Sequence, residues 1–177
     1  DADALIVMVE NLLSVTRIQD GTIPLKKREE MLEEVAGDAI LTTRRRFPNC
    51  HVDLELSEDI LYLPMEPMLI KQVMVNLLEN AVRQSGILLN LFRQDEWAVV
   101  EVRDHGKGLP PEVCQAVQSG RPLSRDLNGD STRGMGIGLS VCQSIIKAHN
   151  GFFAAGNAPE GGAVIRFGLP MKESDHE

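Results

Sequence analysis

The sequence predicts an α+β fold, on three observations. Apolar residues recur at helical spacing in four stretches, 3–20, 29–47, 66–85 and 139–149. Two pairs of apolar runs, 87–93 with 97–104 and 152–156 with 163–169, are each joined by turn residues and read as paired β-strands. Between those pairs, Gly134, Gly136 and Gly138 alternate with other residues and run straight into the last helical stretch.

The bulk numbers bound the answer. The 177 residues suffice for one domain plus an appendage, and 43% apolar content supports a real core. A net charge of −8 argues against a nucleic-acid or polybasic membrane partner. The one basic cluster, Arg44-Arg45-Arg46, falls at a helix end, where cations suit the dipole. Cys50, Cys114 and Cys142 are odd in number and widely spaced, which fits free thiols better than a disulfide frame or a zinc site. No apolar run approaches the roughly 18–20 residues of a membrane span. The chain starts in mid-pattern without signal-peptide features, and the expectation is a fragment of a longer protein.

In order, Leu5, Met8, Leu12 and Val15 give the first helix a 3-4-3 apolar seam, and Gly21 supplies its stop. Two heptads leave two readings open: a helix packed on its own domain, or the tail of a dimerising stalk. Ile23 to Lys26 suits a short edge strand. Glu29 to Phe47 is amphipathic through Met31, Val35, Ala39 and Ile40. Val52 to Leu56 alternates like a half-buried strand, and Ile60 to Leu63 suits another, ended by Pro64.

The third helix, Glu66 to Ser85, carries its apolar stripe on Leu69, Val73, Leu77 and Ala81 and is closed by Gly86. Beside that stripe lies Gln72, and Asn76, Asn80 and Arg83 stand at i, i+4 and i+7 on one face. Asn disfavours helix interiors because it bonds local backbone. Two of them one turn apart suggest an external task, although a solvated face would also accept them.

Ile87 to Arg93 and Trp97 to Asp104 are strands joined at Gln94–Glu96. The second ends in Asp104-His105-Gly106-Lys107-Gly108-Leu109-Pro110, a carboxylate beside bare backbone. An adenine amino group suits that acceptor, and so does a metal ion. Pro111 to Val117 gives one or two helical turns. Gln118 to Arg133 has no periodicity, as expected of a lid or binding loop. The glycines after it let backbone N–H groups approach a ligand, and the helix from Leu139 to His149 aims its positive dipole end there. Such a cradle suits phosphate, though plain tight connections share the pattern. Asn150-Gly151 caps that helix, Asn157–Gly162 turns between the last strands, and the charged tail begins at Lys172.

An Asn-x-x-x-Asn helix face, an Asp-x-Gly-x-Gly strand end and a Gly-x-Gly-x-Gly helix start thus follow in sequence, with no Walker A lysine and no protein-kinase motif. The set resembles the ATP-binding domain of bacterial sensor histidine kinases, within the superfamily shared with DNA gyrase and the mismatch-repair ATPases. Val75-Asn76-Leu77-Leu78-Glu79-Asn80-Ala81-Val82-Arg83 is similar to the family's asparagine box, and Gly134 to Gly151 to its second glycine box and following helix. Leu12 to Gly21 is similar to the end of the second stalk helix. With Asn157 to Ala163, it is most like the potassium-responsive KdpD subgroup.

The resemblance implies a two-layer α/β sandwich of the Bergerat type, a mixed sheet covered by helices on one face. It implies a stalk remnant at 1–21, an ATP-binding catalytic domain at 22–171 and a tail at 172–177. It implies ATP and Mg²⁺, with Asn80 as the metal ligand, Asn76 supporting metal or phosphates, and Arg83 contacting phosphates. Asp104 would accept the adenine N6 hydrogens, Gly106 and Gly108 would admit the base, and Leu109 would line its pocket. Arg133, Gly134, Met135, Gly136, Ile137, Gly138 and Leu139 would hold the phosphates. Glu79 could assist the acceptor histidine as a base. Implied partners are the phosphoacceptor stalk of the same protein, a homodimer in the parent, and a response regulator. Neither nucleic acid nor membrane contact is implied for this part, which would be the cytoplasmic portion of a membrane-bound bacterial sensor.

Asn76 stands where related ATPases carry a water-activating Glu, which implies phosphoryl transfer to a histidine in place of brisk hydrolysis. The chain departs from the pattern in three places. None of His51, His105, His149 and His176 lies in a stalk motif. Gln84 replaces an aromatic, and no aromatic stands between Trp97 and Phe152, where a Phe-rich box is expected. The alternative these departures favour is a degenerate nucleotide-binding or interaction module without kinase activity.

Overall fold

A computed structural model of the chain describes residues 6, 25–82, 86–119 and 133–172, with the side chains of 133–137 excluded. The stalk reading of residues 1–21, the loop at 120–132, Arg83, Gln84 and the tail from 173 onward therefore lie outside the described residues, apart from Ile6.

The elements run β1 (Arg28–Met31), α1 (Leu32–Arg46), β2 (Val52–Leu56), β3 (Tyr62–Met65), α2 (Pro67–Ala81), β4 (Ile87–Gln94), β5 (Trp97–Asp104), α3 (Pro111–Gln118), α4 (Arg133–Ala148), β6 (Phe152–Asn157) and β7 (Ala163–Pro170). Five strands form one sheet in the order β2-β4-β5-β7-β6, and β1 pairs with β3 in a separate two-stranded sheet. Only β2 and β4 run parallel within the large sheet, so it is mixed.

Strand alternation explains the layering. Leu89 and Leu91 of β4 stand opposite Val102 and Val100 of β5, which stand opposite Ile165 and Phe167 of β7. All six are buried and turn to one face. Against that face α1 places Val35, Ala36, Ala39 and Ile40, α2 places Ile70, Val73, Met74, Leu77 and Leu78, and α4 places Leu139, Cys142, Ile145 and Ile146. This is the two-layer sandwich expected.

The opposite face carries Glu101 between Arg103 (2.6 Å) and Arg166. Burial pushes the Glu101 carboxyl up, but its bonds to Arg166 and Arg103 outweigh that and hold it below its ordinary value. The Trp97 and Phe152 rings meet edge to face on the same side, 5.1 Å apart.

Several sequence expectations are corrected. The helix expected from Glu29 starts at Leu32, because Arg28–Met31 pairs with Tyr62–Met65 and this ladder overrides a locally helix-favouring run. Of the edge strand expected at Ile23–Lys26, Leu25 and Lys26 are in no strand, and Ile23 and Pro24 lie outside the described residues. The strand expected from Ile60 to Leu63 runs instead from Tyr62 to Met65, with Pro64 inside it; Pro is tolerated because β3 pairs on one side only. Val52–Leu56 is not half-buried along its length. Leu54 and Leu56 pair with core-facing Leu89 and Leu91, yet they are 38% and 51% exposed at an edge the helices leave uncovered. Finally, α4 begins at Arg133, ahead of the Leu139 start that periodicity indicates.

The far end of α4 shows how it is stopped. Asn150, at φ 59°, adopts the left-handed conformation. The Gly151 and Asn150 amides then donate back to the Ile146 and Lys147 carbonyls, at 2.9 and 3.0 Å, as a Schellman cap. Gly151 is small for a different reason: an added Cβ would lie 2.2 Å from the Gly168 carbonyl oxygen. By contrast a Cβ at Gly37, inside α1, would meet nothing within 4 Å among the described residues.

His149 joins this cap to α2. The Glu66 amide donates to His149 Nε2 at 3.1 Å, so the ring proton sits on Nδ1 and reaches the Ile145 carbonyl at 2.8 Å. Burial lowers the His149 pKa to about 4, assisted by Lys27 and opposed by the Ile145 bond.

Two predictions follow from these contacts. Gly151→Ala should lower the unfolding free energy by about 1–3 kcal/mol through overpacking, and Gly37→Ala should raise it by about 0.5–1 kcal/mol. Urea titration reads both, and equal effects would contradict the assigned contacts. The unfolded chain takes up a proton on His149 near pH 6.5, whereas the folded chain does so only near 4. Stability from neutral His149 is therefore complete above about pH 6.5 and is lost as pH falls toward 4, by at most ~3 kcal/mol. His149→Gln should flatten that part of the stability-against-pH curve; an unchanged slope would remove His149 as its source.

Candidate nucleotide site

The phosphate side is set by how α2 and α4 run past each other. His149, beyond the end of α4, bonds Glu66 before the start of α2. Two turns back along α4, Cys142 takes a hydrogen bond from Asn76 Nδ2 and donates to the Val73 carbonyl, both at 3.8 Å. The helices are therefore antiparallel, and the start of α4 lies toward the end of α2 that carries Asn80. The first four amides of an α-helix have no partner within it. Counted from the Arg133 start of α4 these belong to Arg133, Gly134, Met135 and Gly136, and the antiparallel pairing directs that positive end of the helix toward the Asn80 end of α2.

Within that arrangement the three helix residues have different surroundings. Asn80 is half-buried, and its Nδ2 is fully buried with no hydrogen-bond partner among the described residues. A buried unsatisfied amide is costly, about 1–3 kcal/mol, and marks a place where a further polar group fits. Asn76 is buried at 9% exposure and already engaged: its Oδ1 accepts from Gln72 Nε2 at 2.8 Å, and its Nδ2 faces Cys142. Glu79 turns away to Arg46 at 3.1 Å. Burial pushes the Cys142 thiol up to about 12, so it stays neutral, against a smaller opposing effect of the Asn76 bond.

The glycine run behaves differently from expectation. Gly134, Gly136 and Gly138 lie within the first turns of α4, not in a turn before it. The Leu139 amide is then an interior helix amide, and the Leu139 side chain is fully buried in the core. At Gly138 an added Cβ would meet nothing within 4 Å among the described residues. None of the described residues demands a glycine there, whereas a ligand approaching the backbone would.

The residues expected to meet the base lie at the end of β5. Asp104 Oδ1 accepts the Gly106 amide at 2.9 Å and the Ala163 amide at 3.1 Å. No hydrogen bond to Oδ2 is present among the described residues, and the residue is half-buried. Ile87, which opens the strand after α2, stands directly opposite Asp104, so this carboxylate lies at the same edge as the end of α2. Gly108 has φ +83°. Leu109 is buried, at 6% exposure.

One residue escaped the sequence reading. Asn157, taken as the first residue of a turn, ends β6 and reaches across to Leu109. Its Oδ1 accepts the Leu109 amide at 2.7 Å and its Nδ2 donates to the Leu109 carbonyl at 3.0 Å. Nothing local in sequence links positions 48 residues apart; a polar residue at the strand end was the one available sign. The structure thus brings Asn80, the start of α4, Asp104, Gly106, Gly108 and Leu109 to one end of the sandwich. It turns Asn76 toward α4 and Glu79 toward α1, while Arg83 lies outside the described residues.

Comparison with known proteins gives the family and the fold. The family model described as "Histidine kinase-, DNA gyrase B-, and HSP90-like ATPase" matches residues 65–173. The chain is 33% identical over 176 residues to the sensor protein KdpD of Clostridium acetobutylicum, covering 97% of this chain and 20% of that protein. It is 35% identical over 169 residues to the sensor protein KdpD of Escherichia coli, covering 93% and 19%. It thus spans about a fifth of the length of these relatives. The catalytic domain of histidine kinase ThkA shares the fold, with a TM-score of 0.69 at 24% identity over 84% of this chain and 97% of that one. With more than half its residues matched by the family model, the chain belongs to the histidine kinase-, DNA gyrase B- and HSP90-like ATPase family.

Proposed function

We propose that this chain is the ATP-binding catalytic part of a two-component sensor histidine kinase, passing the ATP γ-phosphoryl group to a histidine on a stalk domain. The observation that supports the reading is the antiparallel pairing of α2 and α4, which directs the start of α4 toward the Asn80 end of α2, together with the backbone bonds that hold Asp104 Oδ1 at the end of β5. Similarity to sensor kinases along almost the whole chain supports it.

ATP lies with its adenine amino group on Asp104 Oδ2 and its base between Gly106, Gly108 and Leu109. Its phosphates lie against the amides at the start of α4, with Arg83 and Arg133 as further cations. Mg²⁺ fits the donor set: the Asn80 carboxamide supplies a hard oxygen ligand, and its orphaned Nδ2 can donate to a phosphate or a bound water. When bound, the ion neutralises charge on the transferring phosphates. Asn76 acts through α4, fixing that helix by its bond to Cys142.

In the transfer, the bond from the γ-phosphorus to the bridging oxygen breaks, a bond to an imidazole nitrogen forms, and ADP leaves. Asn76 has no proton-accepting carboxylate for water, so the γ-phosphoryl group waits for the better nucleophile. The parent protein is a homodimer whose stalk supplies the acceptor, residues 1–21 belong to that stalk, and a response regulator receives the phosphoryl group. The chain works on the cytoplasmic side of a membrane-bound sensor. Among the described residues no helix is long and apolar enough to cross a membrane.

Titration with a fluorescent ATP analogue, with and without Mg²⁺, tests the site. Asp104→Ala should weaken binding about tenfold or more in either condition, and Asn80→Ala should abolish the gain that Mg²⁺ gives the parent chain. Absence of saturable binding up to millimolar nucleotide would favour the degenerate module instead. Mixed with a separately supplied phosphoacceptor stalk and ATP, the chain should label the stalk histidine while releasing little free phosphate alone. Brisk phosphate release without the stalk would make it a hydrolase and overturn the assignment.

A further inference from the structure

We propose that Asn157 is the positioning residue of the adenine pocket. Its carboxamide clamps Leu109 from the β6–β7 hairpin, and the hairpin's opposite residue, Ala163, holds Asp104. This inference rests on the base-side reading above and adds the element that sets its width.

Asn157 and Ala163 face each other as the last register pair of β6 and β7. The Ala163 amide donates to Asp104 Oδ1 at 3.1 Å. The Asn157 carboxamide makes two bonds to Leu109, accepting from its amide at 2.7 Å and donating to its carbonyl at 3.0 Å. One hairpin end therefore grips both walls of the pocket, the acceptor on one side and the apolar wall on the other. The turn that carries the two residues is closed on itself. The Ala158 amide donates to the Gly162 carbonyl and the Gly161 amide to the Ala158 carbonyl, both at 3.0 Å.

The neighbouring glycines show how close the grip is. An added Cβ at Gly108 would lie 2.5 Å from Asn157 Oδ1, and one at Gly162 would lie 2.0 Å from the Asp104 carbonyl oxygen. Both distances are shorter than side chains tolerate, so the Asn157 carboxamide lies directly on the Gly108 backbone and the Gly162 backbone lies directly on that of Asp104.

The chemistry selects Asn. Pairing with both the N–H and the C=O of one residue requires a donor and an acceptor on one short planar group. A carboxylate in its place loses the donor and sets negative charge against the Leu109 carbonyl. An alanine removes both bonds and frees the 106–109 segment, which has no strand or helix of its own to hold it.

The experiment compares ATP with inosine triphosphate, which carries a carbonyl where adenine carries the amino group. Both are titrated against the parent chain, Asn157→Ala, Asn157→Asp and Asp104→Asn. The parent prefers ATP. In Asn157→Ala the ATP Kd should rise about tenfold, while the inosine triphosphate Kd changes by less than about twofold, so the preference collapses. Asn157→Asp should not restore it. A role in folding alone would weaken both nucleotides together, and that result, or an unchanged preference, overturns the proposal. If Asn157→Ala does not fold, Asn157→Gln, which keeps the amide but displaces it by a methylene, carries the same test. Asp104→Asn separates the failures: if it also leaves the preference unchanged, the base-side assignment itself is wrong, whereas if it alone abolishes the preference, only the role of Asn157 falls.

Discussion

The pairing of α2 with α4 is the constraint on which the rest of the molecule depends. Apolar burial holds the two helices together, but apolar surfaces slide at little cost, and the register comes from polar groups. His149 and Asn76 are both buried, and each meets its partner across the same interface. A slip of one turn would orphan both, at about 1–3 kcal/mol for each buried group left unpaired. The polar contacts thus add specificity to an interface whose strength is hydrophobic. They also make the helices antiparallel, which delivers the unpaired amides of α4 to the end of α2 bearing Asn80.

From that arrangement the site divides naturally. In the proposed function the helical layer supplies the phosphate side, with the start of α4 and the Asn80 carboxamide, whose nitrogen lacks a partner among the described residues. The sheet would supply the base side, where Asp104 ends β5 with Oδ1 bound to two backbone amides. Such a division suits a chain with net charge −8. A polyanion would be repelled by the protein at long range, but salt screens that field within about 10 Å. Helix-terminal amides act at contact distance, where screening is weak.

Several of these features were readable before any coordinates. Asn76 and Asn80 stand out because the helical period puts residues four apart on one face, and the period is strong through Ile70 to Ala81. Strands β4, β5 and β7 are dense in Val, Ile, Leu and Phe at alternate core positions, so their identity survives without context. The failures share one cause, contact with residues distant in sequence. Arg28–Met31 looks helical alone and becomes a strand only because Tyr62–Met65 pairs with it. Leu54 and Leu56 have the alternation of buried residues but sit at an uncovered edge, and no local signal reports an edge. Glycine erases helical periodicity, so the pattern shows α4 only from Leu139 although the helix begins at Arg133. A strand-end Asn reads as a turn residue, and the target of Asn157 is 48 positions away.

Under the proposed function, the distinction between transferring a phosphoryl group and hydrolysing it rests on Asn76, a side chain that also holds two helices in register. Asn76 uses its oxygen for Gln72 and its nitrogen for Cys142. A carboxylate there would keep the Gln72 bond but lose its donor toward the sulfur, and the Cys142 thiol, neutral with its pKa near 12, would have to turn from the Val73 carbonyl to satisfy it. Converting this position to a general base would therefore loosen the same helix contact that places the phosphate-binding amides. Water activation and the present α2–α4 register compete for one residue, and the chain has resolved that competition in favour of register. The missing base and the positioned phosphate site are then two consequences of a single choice of amide over acid.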